Sequence, residues 1–162
     1  GDASILGGEM LIDFNLRDLI PEDFKCNYYI NSSFIESSYI KSEINGITGN
    51  QVELIPEINL KSGFSLGYQN IISTIQYTYM SEQFTDATNS IQSNMSGVIG
   101  KIPEYEIFDL SILYKVKKYK IEFGINNLLD KAYFTRRATG YPGPGIIPSP
   151  PRNYYMTLQI NF

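Results

Sequence analysis

The densest cluster of side chains able to do chemistry is cationic. Between Leu128 and Arg152 stand Lys131, Arg136, Arg137 and Arg152 against the single acid Asp130, a net charge of +3 in a chain whose formal net charge is −4. Guanidinium forks grip carboxylates and phosphates at two points, so Arg136, Arg137 and Arg152, with Tyr141 in the same stretch, are the residues expected to meet an anionic ligand. Other chemistries are closed off. The chain has no histidine, so neither a Ser/His nor a Cys/His nucleophile can be assembled. Its one cysteine, Cys26, cannot form an internal disulfide or a multi-cysteine metal site. Between Phe24 and Tyr28 it reads as a small hydrophobe. No glycine loop of the kind that cradles phosphates occurs. With 13 Lys plus Arg against 17 Asp plus Glu, a grip on nucleic acid is not expected. The sequence implies no enzyme, no cofactor and no metal.

The elements that must carry these residues are strands. Tyr and Phe, 13 and 9 of them, suit a pleated surface, and isoleucine is abundant while alanine is scarce. The last segment alternates Tyr154, Met156, Leu158, Ile160 and Phe162 with Tyr155, Thr157, Gln159 and Asn161, a period of two. Similar alternation predicts strands over Gly8–Leu16, Phe24–Phe34, Ile58–Tyr68, Ile71–Met80, Phe108–Val116 and Tyr119–Asn126, with Leu113 the only mismatch in its segment. Seven antiparallel strands of about 9–11 residues are expected, long beside the usual five or six. At about 3.3 Å per residue and a tilt near 40°, about ten residues rise roughly 25 Å, the height of the apolar band of an outer-membrane barrel. No run approaches a spanning helix, which leaves the barrel open because its strands never build one.

The connections alternate between short and long. Short ones are expected around Asp18–Asp23, Gln69-Asn70 and Lys117-Lys118, long ones around Ser37–Ile55, Ser81–Glu104 and Leu128–Arg152. Outer-membrane barrels sort tight periplasmic turns and long outer loops onto opposite ends, which would place the C-terminus at Phe162 on the periplasmic side. Phe14, Phe24, Tyr68, Tyr114, Tyr119 and Phe162 near the short-turn end, and Tyr79, Phe108 and Tyr154 near the other, fit aromatic belts at the two interfaces. Polar residues such as Asn59, Lys61, Gln76, Glu122, Gln159 and Asn161 would line a wet wall. Glu104 and Glu106 could in principle serve a glycosidase as acid and base. Sharing one face at a strand entry, they are expected instead to line the barrel mouth. The same alternation also suits a soluble β-sandwich. Seven strands are odd where bacterial barrels are even, and no leader precedes Gly1, so the expectation is a C-terminal fragment of a larger barrel.

Beyond pattern, the chain's end resembles that of TonB-dependent outer-membrane receptors. Asn127-Leu128-Leu129-Asp130-Lys131-Ala132-Tyr133 is similar to their Asn-Leu-Phe-Asp-Lys-x-Tyr motif, and Pro151-Arg152-Asn153-Tyr154 running to Phe162 resembles their closing strand. Leu129 stands for the more typical Phe, and Pro151 for Gly. Gly7-Gly8-Glu9, Ile55-Pro56-Glu57, and Ile102-Pro103-Glu104-Tyr105 with Asp109-Leu110 resemble strand entries of the family. Tyr133 to Gly145 is similar to the last outer loop of ferric dicitrate receptors.

That resemblance implies an all-β, antiparallel transmembrane β-barrel. Residues 1–162 would be its C-terminal part, about seven strands of about 22, with the plug and the TonB-contacting box lying upstream. It implies TonB-dependent uptake of a ferric chelate, ferric dicitrate in particular, with outer loops as receptor, and the lipid bilayer and lipopolysaccharide as surroundings. Arg152 would then point inward as a structural contact, and Arg136 and Arg137 could instead pair with loop acids or lipopolysaccharide phosphates. Two rivals remain at this point: a passive porin-type channel, and a soluble β-sandwich adhesion or carbohydrate-binding domain with Ile160 and Phe162 buried under a second sheet.

Overall fold

In a computed structural model that describes residues 1–140 and 143–162, the alternating segments form one antiparallel sheet. Its strands are β1 (Asp2–Asn15), β2 (Phe24–Lys41), β3 (Ile58–Tyr68), β4 (Ile71–Met80), β5 (Tyr105–Val116), β6 (Tyr119–Asn126) and β9 (Asn153–Ile160), in the order β1-β2-β3-β4-β5-β6-β9. A separate hairpin, β7 (Phe134–Ala138) with β8 (Gly145–Pro148), interrupts the last long connection. A single 3-10 turn over Arg17–Leu19 sits in the first short one. The neighbours in sequence pair in space, so every join within the seven-stranded sheet is a hairpin, and β1 and β9 each leave one edge unpaired.

Register explains the two faces. Side chains alternate across a strand, so directly opposed residues share a face. One face is read continuously from Ile12 opposite Ile30, through Tyr28 opposite Phe64 and Phe64 opposite Ile75, to Ile75 opposite Leu110. It continues through Leu110 opposite Ile125 to Phe123 opposite Met156 and Ile121 opposite Leu158. The other carries Asn31 opposite Lys61, Ser65 opposite Thr74, Gln76 opposite Asp109, and Glu122 opposite Thr157. Met156 is 75% exposed and Leu158 58%. No second sheet covers the apolar face among the described residues, which removes the sandwich expectation. Burial lies elsewhere. Among the described residues four apolar ones are buried: Ile47, Ile102 and Ile107 lie in or beside the long connections, and Cys26 lies toward the short-turn end.

The structure corrects several boundaries. β1 begins at Asp2 rather than Gly8, and β2 runs to Lys41 rather than Phe34, because the stretch from Ser37-Ser38 onward reads as loop but pairs with β1. The pair overhangs β3, whose register ends at Phe34 opposite Ile58, by about seven residues or roughly 20 Å. β5 begins at Tyr105 rather than Phe108, and β9 spans Asn153–Ile160 rather than reaching Phe162. At 18 residues β2 exceeds the expected length. Glu104 and Glu106 do fall together, but beside the apolar face: Glu106 lies opposite Tyr79, and the hydroxyls of Tyr79 and Tyr77 donate to Glu104 at 2.7 Å and Glu106 at 3.3 Å.

The polar face is furnished by tyrosines laid over glycines. A Cβ at Gly63 would fall 2.2 Å from Cε1 of Tyr29, and one at Gly124 would fall 2.1 Å from Cε1 of Tyr155. Each ring covers the bare backbone opposite and sends its hydroxyl onward, Tyr29 to Gln76 Oε1 at 2.9 Å and Tyr155 to Glu122 Oε1 at 2.8 Å.

A basic hairpin held by interlocked loops

The site is assembled at the long-loop end, and its anchor is the asparagine that immediately follows β6. Asn127 is 2% exposed and takes a left-handed φ of 53°, which asparagine tolerates better than most residues. Its amide Nδ2 donates to the carbonyl of Lys131 at 2.9 Å and to that of Pro150 at 3.4 Å, while its Oδ1 accepts from the backbone N–H of Lys131 at 2.8 Å. Its own backbone N–H donates to Asp109 Oδ1 at 2.8 Å. Three residues on, Asp130 accepts the backbone N–H of Arg152 at 2.9 Å and meets that guanidinium at 3.5 Å. The Asn-x-x-Asp-Lys spacing is thus a clasp tying the exit of β6 to the entry of β9. Arg152 belongs to this clasp.

The β7–β8 hairpin rises from the clasp, and its two arginines diverge because neighbours on a strand face opposite ways. Arg137 turns toward the β4–β5 connection, donating from its two terminal nitrogens to the carbonyls of Gly97 at 2.7 Å and Lys101 at 2.9 Å, with its guanidinium 5.2 Å from the Phe134 ring centroid. Arg136 stays exposed on an open hollow of about 400 Å³ that it shares with Arg137, Ala138, Thr139, Gly140 and Ile147. Tyr141, the fourth residue expected at the site, lies outside the described residues.

The three long connections are bound to one another. Asn89 and Gln51 exchange hydrogen bonds, Gln51 N–H to Oδ1 at 2.8 Å and Asn89 Nδ2 to the Gln51 carbonyl at 2.9 Å. Asn50 donates to the Ala87 carbonyl at 2.8 Å and Leu54 to that of Phe84 at 2.9 Å. On the other flank Arg137 joins the β4–β5 connection to the hairpin, and Gly97 and Gly145 pack so closely that a Cβ on the former would lie 3.2 Å from the Cα of the latter. Two groups at this end, Asp86 in a loop and Tyr39 on the overhanging end of β2, are tuned by hydrogen bonds. Burial opposes ionisation of Asp86, but hydrogen bonds from the hydroxyls and backbone of Thr88 and Ser90 outweigh it and hold the carboxyl below its ordinary value. The Tyr39 hydroxyl, donated to Glu53, is pushed up by that bond, then by burial and by the nearby carboxylate charge.

Sequence reasoning had no means of finding these loop-to-loop bonds, because their partners are mostly backbone carbonyls far along the chain. The tyrosine-over-glycine pairs carry a visible signal, a Gly and a Tyr on the polar phase of adjacent strands. Among the described residues no group of three acidic or cysteine side chains converges as a metal site.

No family model matches the chain. Solved structures do resemble it. The ferric citrate transporter FecA, in its unliganded form, superposes with a TM-score of 0.88 at 22% identity over 99% of this chain and 24% of its own. The ferric yersiniabactin uptake receptor FyuA from Yersinia pestis gives 0.75 at 17% identity over 99% and 24%. The siderophore receptor PiuA from Acinetobacter baumannii gives 0.72 at 19% over 98% and 22%. The chain therefore spans about a quarter of the length of the structures it matches, and its fold is an antiparallel all-β sheet forming part of a barrel.

Proposed function

We propose that residues 1–162 are the C-terminal part of the β-barrel of a TonB-dependent outer-membrane receptor that imports a ferric chelate, ferric dicitrate in particular. The observation that carries the reading is the FecA superposition, which takes in nearly the whole chain, together with its long connections. An apolar face left uncovered across seven strands supports a hydrocarbon environment, since such an area cannot stay in water without association. The polar face then lines the interior, hydrated by Asn59, Lys61, Gln76, Glu122 and Gln159. Short turns lie on the periplasmic side, as does the C-terminus, and the interlocked connections face outward beside lipopolysaccharide.

In this reading the interlocked loops hold Arg136 at the outer surface, where its guanidinium offers two parallel donors to a citrate carboxylate. Ferric citrate is anionic, and the stretch around the hairpin is basic within an acidic chain. Upstream segments would supply the plug and the contact with the TonB complex that opens it. The chain itself carries out no bond-making step.

The test is growth of a strain deleted for the parent gene, with ferric dicitrate as sole iron source. Re-expression of the intact receptor should restore growth, and only while TonB is present. Restoration by other chelates but not by ferric dicitrate would overturn the substrate assignment. Restoration without TonB would indicate a passive pore.

A further inference from the structure

The opposite end of the sheet carries a second cationic feature that chelate uptake does not use. Lys115, Lys117, Lys118 and Lys120 fall within six residues at the tip of the β5–β6 hairpin. Lys115, Lys117 and Lys118 are exposed and Lys120 is half-buried. Lys115 lies directly opposite Lys120. Like charges in that position are unfavourable, and among the described residues none of the four ammonium groups meets a carboxylate. Glu122, one step further along the same face, is engaged by the Tyr155 hydroxyl.

Turn chemistry does not account for the lysines. The two-residue turn holds Lys117 at φ 51°, where a side chain bearing Cβ is disfavoured and Asn or Gly is the usual choice. The adjacent β3–β4 turn has the same length and a similar φ of 50° at Gln69, yet is the uncharged pair Gln69-Asn70. The fold therefore does not require cations at such a turn.

The surroundings identify what would neutralise them. Tyr114 and Tyr119 are exposed on the apolar face beside the tip, and the Lys118 ammonium lies 5.7 Å from the Tyr119 ring centroid. Phe24 stacks on Tyr68 at 4.6 Å further along the same end. Such an aromatic belt marks headgroup depth, and lysines at that depth meet lipid phosphate. We propose that this hairpin tip binds the phosphate of an anionic glycerophospholipid, of the phosphatidylglycerol class, in the leaflet at the short-turn end. Lys117 and Lys118 make the contact. Lys115 and Lys120 add attraction from within a screening length. The proposal rests on the reading of the chain as part of a membrane barrel, but its test reads lipid rather than chelate.

The intact receptor, purified and placed in nanodiscs of equal parts phosphatidylethanolamine and phosphatidylglycerol, is released in a mass spectrometer and its retained lipids are counted. The unaltered protein should retain phosphatidylglycerol in preference. Each Lys→Gln change at 117 or 118 should lower that preference about fivefold, while Lys→Arg at both should keep it. Excess inorganic phosphate should not displace the lipid. The proposal is overturned if the unaltered receptor shows no preference, if the fourfold Lys→Gln variant keeps it, if the Arg variant loses it, or if free phosphate abolishes it. Heat-modifiable gel mobility reports barrel folding in every variant, and ferric dicitrate binding, measured separately, can fail without touching these outcomes.

Discussion

Adjacent arginines on one five-residue strand meet opposite environments, and that contrast decides which of them is free to act. Arg137 gives its terminal nitrogens to two carbonyls of another loop, whereas Arg136 faces solvent. On the function proposed above, Arg136→Ala in the full-length protein should weaken ferric dicitrate binding about tenfold or more while leaving the fold unchanged, the loss expected of a hydrogen bond to a charged group. Titration calorimetry checks it. Arg137→Ala should instead quicken amide exchange through the β7–β8 hairpin, with Arg136 still present. Asp86 gives a pH effect of definite sign. Its folded pKa lies below the ordinary 3.8, so its stabilisation is complete above that value and is lost only as pH falls through the lower folded one. Exchange protection at Thr88 and Ser90 should therefore be flat from neutral pH down to about 4 and fail below it, whereas Asp86→Asn should lack that step.

At the scale of the strand, the tyrosine-over-glycine pairs make the polar wall more than a row of hydrophilic side chains. Gly124→Ala must swing the Tyr155 ring aside and break its bond to Glu122, at a cost of about 1 kcal/mol. In a double-mutant cycle with Tyr155→Ser that cost should largely vanish, because the ring is no longer there to displace. Thermal unfolding of the barrel measures both. Strands were legible where alternation is regular: Ile58–Tyr68, Ile71–Met80 and Tyr119–Asn126 fall at their expected bounds. The overhanging ends of β1 and β2 were not, since serines on both phases erase the period, and pairing with a neighbour rather than burial keeps them extended. The β7–β8 hairpin was hidden by its glycines and prolines, which read as loop. At the site the charge was readable and the division of labour was not. Sequence lists Arg136 and Arg137 as equals, and only the position of Gly97 and Lys101 separates them.

For the whole molecule the governing fact is that one side of the sheet is oily and bare. On the membrane reading proposed above, Met156→Lys on that side should destabilise the inserted barrel by about 2–4 kcal/mol, the penalty of a cation near mid-membrane, whereas Thr157→Lys, one residue away on the polar face, should be tolerated. Folding titrations of the intact receptor in lipid vesicles compare the two. Equal penalties would mean that the faces had been misassigned.

The bonds that knit the long connections together also bear on how such a surface diversifies. Gln51 with Asn89, and Gly97 with Gly145, are partners drawn from different loops. A change at one is poorly accommodated unless its counterpart changes too, so diverging relatives should alter these positions in pairs. Loops of this kind are inherited as a set, and grafting a single one onto another scaffold would bring half of each bargain without its other half.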